Sequence, residues 1–238
     1  MKDIPDKSID MILCDLPYGT TQCKWDSVIP FDCLWGGYNR IIKERGAIVL
    51  FGTEPFSSHL RLSNISSYKY DWVWLKTKPS GHLNAKKQPM RIYEMISVFY
   101  KKQCTYNPQG LIRGSFNNNR PSRGNKVKGK YVHGLEKCNF GLSAYTNYPV
   151  NTLSFPNPNN KTVHPTQKPV ALLEYLVKTY TNENETVLDN CMGSGSTGIA
   201  CINTNRNFIG MELNEEYFEI AKERIDKRMN LEVEKLSI

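Results

Sequence analysis

The feature that most constrains this chain is an alternation of short apolar runs with helical patterns. β-Rich runs recur at 9–14 (IDMILC), 46–52 (GAIVLFG), 70–76 (YDWVWLK), 94–101 (EMISVFYK), 185–190 (ETVLDN) and 207–213 (NFIGMEL), with helical patterns near 31–44, 54–64, 169–180, 195–204 and 214–229. Such alternation predicts an α/β fold, a doubly wound and mostly parallel sheet covered by helices. The last helix is the most clearly marked. Asn214 can cap it, Glu215 and Glu216 suit its positive first turn, and Tyr217, Ile220, Ala221 and Ile225 share one apolar face. At 238 residues the chain can bury a full core, and its length fits one domain carrying a large insertion.

Between 103 and 161 the pattern dissolves into Gly, Asn, Pro and basic residues, including SFNNNRPSRGNKVKGK and FPNPNNK. A loop-rich stretch of this length inside a compact domain is usually functional or disordered. The net charge of +8 is concentrated there: residues 101–150 carry nine Lys and Arg against the single acid Glu136, so 9 − 1 = +8, and the remainder sums to zero. A neutral body with a basic insert points to a polyanion held at one place. Nucleic acid is the first candidate and an anionic membrane surface the second. A solvated lysine-rich loop is the plainer alternative.

Other classes are disfavoured. The seven cysteines form no CxxC pair, and an odd count leaves one unpaired in any full disulfide scheme, as expected of reduced cytosolic thiols. No run of about 18 apolar residues is present to span a bilayer, and the start MKDIPDKSID has no apolar signal core. A cytoplasmic location is expected. His164, one histidine without Cys or acid partners at ligand spacing, makes no metal site.

Two stretches carry chemistry. In ILCDLPYGTT, 12–21, a buried strand leads straight into Asp15, Leu16, Pro17 and Tyr18. In VLDNCMGSGSTGIACI, 187–202, a strand leads into Asp189, then a turn with Gly193, Ser194 and Gly195, then a helix. Glycines let a ligand approach the backbone, and a helix start offers free N–H donors. No GK[ST] follows, so the turn is not a phosphate-binding P-loop. Glu212, at the end of the next run, could accept hydrogen bonds from ribose hydroxyls. A turn with little phosphate-binding character beside a ribose acid fits S-adenosylmethionine. An ordinary strand, turn and helix with an exposed Glu remains open at this point.

Taken together, DLPYG, HPTQKP (164–169) and DNCMGSGSTG resemble the beta class of DNA amino-methyltransferases, in which the catalytic motif precedes the cofactor motif and a target-recognition region lies between them. The similarity covers nearly the whole chain, and 83–101 resembles the stretch before the recognition region. The resemblance implies a Rossmann-like methyltransferase sheet divided into a catalytic half at 1–102, a target-recognition insert at 103–161 and a cofactor half at 162–238. It implies transfer of a methyl group from S-adenosylmethionine to adenine N6 in double-stranded DNA, and it allows a homodimer. It also implies site residues. Asp15, Leu16, Pro17 and Tyr18 would be catalytic. Asp15, Lys168, Asp189, Met192, Gly193, Ser194, Gly195, Thr197 and Glu212 would hold the cofactor. Arg113, Arg120, Arg123, Lys126, Lys128 and Lys130 would bind DNA.

The chain departs from the pattern at Leu16, where the family often has proline, and at its start, where members usually have a further strand with a Gly-Asp pair near the cofactor's adenine. Only eight residues precede Ile9, which implies a shortened form or an incomplete adenosine pocket. Rival readings are methyl transfer to cytosine N4, RNA or protein glutamine, and a DNA-binding relative that has lost catalysis. Trp72 and Trp74 read as sheet core, and Lys168 alone also reads as a helix-entry lysine before Pro169.

Overall fold

Strand β1 (Ile9–Cys14) sends alternate side chains to opposite faces, and each face finds its own core. Met11 and Leu13 pack with Val49, Phe51, Trp72 and Ile96, while Ile12 and Cys14 pack with Ile48, Leu50 and Leu188. Helices α3 (Val170–Tyr180) and α4 (Ser196–Asn203) contribute Leu172, Leu176 and Ala200 to the first core. Helices α1 (Phe31–Ile41) and α2 (Phe56–Ser63) contribute Leu34, Tyr38 and Leu60 to the second. Burial on both faces is why these strands read as continuous apolar runs. Truncating a fully buried leucine such as Leu13 to alanine costs about 2–5 kcal/mol in cores of this kind.

The computed structural model describes residues 1–19, 26–113, 145–158 and 167–236. Its main sheet has the order β7 (Thr152–Ser154), β3 (Tyr68–Ser80), β4 (Arg91–Phe99), β2 (Ile42–Gly52), β1, β8 (Thr186–Asp189) and β9 (Asn207–Gly210). β1 is parallel to β2 and to β8, β8 to β9, and β3 to β7; β4 is antiparallel to both of its neighbours. Only β4 therefore runs against the rest of this sheet. From β1 the chain passes through α1 to β2 on one side; from β8 it passes through α4 to β9 on the other. The strand order thus reverses between β1 and β8, the position where doubly wound sheets open a ligand crevice beyond their carboxyl ends.

The chain divides into two units. The sheet unit comprises Met1–Asn107 and Val150–Ile238, and the second is Pro108–Pro149, in which β5 (Ile112–Arg113) pairs antiparallel with β6 (Tyr145–Thr146). The stretch expected to be loop from 103 to 161 therefore includes flanks belonging to the sheet unit. Within them β7 adds a sheet strand: Val73 N donates to the Asn151 carbonyl at 2.8 Å, and the Trp74 indole donates to the Phe155 carbonyl at 2.9 Å. Helix α1 stops three residues short of its expected end. Ile42 turns to an extended conformation and pairs with Ile9, so its side chain is buried in the sheet while Lys43 and Glu44 stay exposed. Helix α5 (Glu215–Leu236) begins as its sequence predicts, with Asn214 Oδ1 accepting the Tyr217 N–H at 3.1 Å. Trp72 and Trp74 are buried in the sheet core. Among the described residues no helix is long and apolar enough to cross a membrane.

Candidate active site

Register brings the two chemistry-bearing stretches together. Ile12 pairs with Leu188 on the neighbouring parallel strand, so Asp15 and Asp189 leave adjacent strands at the same end of the sheet. Pro17 fixes its own φ and biases Leu16 toward an extended backbone. Leu16 itself is buried in the second core.

Asp15 sits in a network of charge. One carboxylate oxygen accepts the Tyr18 hydroxyl and the other pairs with Lys168 Nζ. Lys168 is buried and also lies 3.4 Å from Glu94 Oε2, while Glu94 Oε1 pairs with Lys76. Two lysines thus face two carboxylates in the order Asp15, Lys168, Glu94, Lys76. Burial raises the Asp15 pKa; Lys168 offsets part of that rise, and the nearby Glu94 adds to it. For Lys168, burial disfavours the charged form, but Asp15 and Glu94 outweigh it and the pKa goes up. Burial would likewise raise Glu94, but Lys168 and Lys76 together bring it below the ordinary glutamate value. The motif at 164–169 reaches the site through its lysine; His164 lies outside the described residues. Glu94 and Lys76 were not among the residues expected from the sequence.

Tyr18 is turned inward. Its hydroxyl is committed to Asp15 and its ring packs on Phe56, with centroids 5.0 Å apart. Burial, then the Asp15 charge, push its phenol well above the usual range.

The glycine turn is pinned from within and from beside. Asp189 is buried, accepts the Thr197 hydroxyl at 2.7 Å and the Cys191 N–H at 3.1 Å, and is pushed by burial up to about 6. The half-buried Glu212 accepts the N–H of Gly193 and the N–H of Asn214, each at 2.9 Å. Gly195 has φ +77, and an added Cβ there would lie 3.0 Å from Ala221 Cβ, so close packing of α4 on α5 accounts for that glycine. Gly193 also has positive φ, at +50. Met192, Ser194 and Thr197 are buried, with the Ser194 carbonyl held by Arg224 and its hydroxyl 3.4 Å from Gln167 Oε1. Of the residues expected to bind DNA, Arg113 lies in β5 and is exposed, whereas Arg120, Arg123, Lys126, Lys128 and Lys130 lie outside the described residues.

A nucleoside cofactor without phosphate fits the chemistry of the turn. Residues 189–198 contain no Lys or Arg to face a phosphate. A carboxylate has about four lone-pair positions, so Glu212 keeps acceptor capacity beyond its two backbone bonds.

The sheet order, the switch point and the paired motifs define a doubly wound α/β protein with its site beyond β1 and β8. A family model described as DNA methylase matches residues 9–223, and the chain belongs to that family. It is 29% identical over 250 residues to the type II methyltransferase M.HpaI of Haemophilus parainfluenzae, covering 97% of this chain and 72% of that one. It is 28% identical to the DNA adenine methyltransferase YhdJ of Escherichia coli K12, covering 100% and 83%. Among solved structures, the M1.HpyAVI–SAM complex aligns with a TM-score of 0.59 at 28% identity, over 91% of this chain and 89% of that one. The cytosine-N4-specific PvuII DNA methyltransferase shares the fold, with a TM-score of 0.65 at 15% identity, over 96% and 87%.

Proposed function

We propose that this chain moves a methyl group from S-adenosylmethionine to the N6 amino group of an adenine flipped out of double-stranded DNA. The observation that carries the reading is the meeting of Asp15 with the Asp189 turn on neighbouring parallel strands, with Lys168 closing on Asp15. The names of M.HpaI and YhdJ support the substrate class.

The adenine amino nitrogen is a poor nucleophile because its lone pair is delocalised into the ring. Asp15 and the Leu16 carbonyl accept hydrogen bonds from that group, which localises the lone pair and favours the positive charge developing on nitrogen. Bound S-adenosylmethionine supplies the electrophilic methyl group. Glu212 accepts the ribose hydroxyls. Asp189 acts from within, tying Thr197 and Cys191 so that Met192, Gly193, Ser194 and Gly195 keep their course. Lys168 holds the Asp15 carboxylate in place. An aspartate whose pKa burial has raised is also suited to receive the proton that leaves nitrogen.

Base entry replaces the Tyr18 hydroxyl at Asp15 and frees the ring to stack on the base. Stacking contributes about 1–3 kcal/mol, against a few kcal/mol for flipping, so contacts to the DNA backbone must make up the difference. The insert, from 103 to 161, is the proposed target-recognition segment between the catalytic half at 1–102 and the cofactor half at 162–238. Arg113, Arg120, Arg123, Lys126, Lys128 and Lys130 are its proposed DNA contacts.

The test is incubation of the purified protein with duplex DNA and methyl-labelled cofactor, followed by nucleoside analysis. N6-methyl-2′-deoxyadenosine is expected. Label in N4-methylcytosine, or none in DNA, would contradict the reading.

A further inference from the structure

Outside 101–150 the charges sum to zero, yet the sum conceals a second basic element. From Leu75 to Tyr93 the chain carries Lys76, Lys78, Lys86, Lys87 and Arg91 and no acid. This stretch is the arm formed by the end of β3, a turn of 3-10 helix at His82–Asn84, and the start of β4. Every residue from Ser80 to Tyr93 is exposed, and Leu83 is fully so.

The base of the arm is fixed. Leu75 pairs with Tyr93 and Ser80 with Arg91, so the four residues from Lys76 to Pro79 face Ile92 alone, a bulge that bends the strand. Within the bulge Lys76 pairs with Glu94, and the Lys78 N–H donates to Asn157 Oδ1 at 3.0 Å. Because β3 runs in the same direction as β1, the arm leaves the sheet at the end where Asp15 lies. It is joined to Asp15 through Glu94 and Lys168. At about 3.3 Å per residue, the run from Lys76 to Gly81 carries the tip on the order of 15 Å past the Lys76–Glu94 pair.

We infer that the β3–β4 arm is a second DNA-contacting element, which grips duplex phosphates beside the catalytic end of the sheet through Lys78, Lys86, Lys87 and Arg91. The inference rests on the proposed methyl transfer to DNA. Among the described residues these four cations form no ion pair, so no described acid neutralises their charge. A basic element with no acid attracts a polyanion, and phosphate contacts supply most of the sequence-independent affinity for DNA. Met90, Ile92 and Tyr93 are exposed on the same arm, beside the fully exposed Leu83. Apolar side chains of this kind contact and wedge base steps when a duplex is distorted, as it must be where a base is flipped. Within the arm, all of whose residues are described, the only helix is the three-residue 3-10 turn at His82–Asn84, too short to lie in a lipid interface as an amphipathic helix.

The experiment replaces Lys78, Lys86, Lys87 and Arg91 with glutamine and leaves Lys76 in place. Affinity for a duplex of arbitrary sequence is measured over a range of salt, together with S-adenosylmethionine affinity and the melting midpoint. Each lost phosphate contact lowers the log–log salt slope by about 0.9, so a fall of about 2–4 is expected, with affinity down at least tenfold near 0.1 M salt. Cofactor affinity and melting should not change, since the four side chains lie outside both cores and the glycine turn. If the parent protein binds the duplex and the variant matches it in slope and affinity, the arm proposal fails alone. A loss confined to binding of phosphatidylserine vesicles would overturn it in favour of a lipid surface. If the parent protein shows no salt-dependent duplex binding, both the arm and the proposed DNA substrate fall.

Discussion

Lys168 Nζ pairs with Asp15 Oδ2 across 153 residues of sequence, and this contact ties the segment before α3 to the residue that follows β1. Its other acid partner, Glu94, lies on β4, the strand that runs against the rest. Glu94 therefore shares Lys168 with Asp15.

Glu94→Gln is expected to move the acid limb of the kcat profile to lower pH. Glu94 raises the Asp15 pKa by like charge, and removing it also leaves Lys168 to Asp15 alone, so both effects lower the pKa of Asp15. The same change leaves Lys76 and Lys168 with one carboxylate between them, at a stability cost of about 3 kcal/mol. A pH–rate profile with parallel urea denaturation checks both, and an acid limb that stays or rises would remove Glu94 from this positioning role.

Tyr18→Phe and Tyr18→Ala should separate the hydroxyl from the ring. Phenylalanine keeps the stacking face and removes the group that occupies Asp15, so the KM for DNA should hold or fall. Alanine loses about 1–3 kcal/mol of stacking, roughly a 5- to 150-fold loss in kcat/KM. Equal losses in the two variants would show that the hydroxyl, not the ring, matters.

Stability should carry the signature of Asp189. Its folded-state pKa, about 6, lies above the unfolded value of 3.8, so its contribution is fully present below pH 3.8 and is lost as pH rises to about 6. A shift of about 2 units corresponds to about 3 kcal/mol. Relative to Asp189→Asn, the parent protein should lose stability by that order between pH 4 and 6.5. Denaturation midpoints for the pair that stay parallel over this range would count against the burial of an ionisable Asp189.

Glu212→Gln keeps one acceptor oxygen for the backbone and removes the charge offered to ribose. Cofactor affinity should fall about tenfold, the worth of one charge-assisted hydrogen bond, and melting should fall as well, because the amide NH2 faces one of the two backbone N–H groups, of Gly193 and Asn214, that the carboxylate accepts. Titration calorimetry showing unchanged affinity would move the ribose elsewhere.

Much of the sheet was legible because both faces of its central strands are buried. Continuous apolar runs at 9–14 and 46–52 have few other uses, and Asn214 with two following glutamates marks a helix start unambiguously. β7 was not legible, since three residues between Asn151 and Phe155 are too short to show a period. The Asp15–Lys168–Glu94–Lys76 network was legible only in part. Its members come from four separate segments, and periodicity assigns a face but not a register. Glu94 read merely as the polar start of an apolar run. The basic arm was hidden by arithmetic, because in the sum its charge is cancelled by acids elsewhere in the sequence.

The central claim is that Asp15, at the end of β1, performs the transfer. Asp15→Ala leaves Glu94 as a counter-ion for Lys168, so the protein should fold, although with a lower melting midpoint. The decisive measurement is single-turnover formation of N6-methyladenine in duplex DNA at saturating cofactor and protein, comparing the parent with this variant. The account predicts a rate lower by about 10²–10³, the cost of losing one preorganised partner of the transition state. A folded variant within tenfold of the parent rate would contradict it.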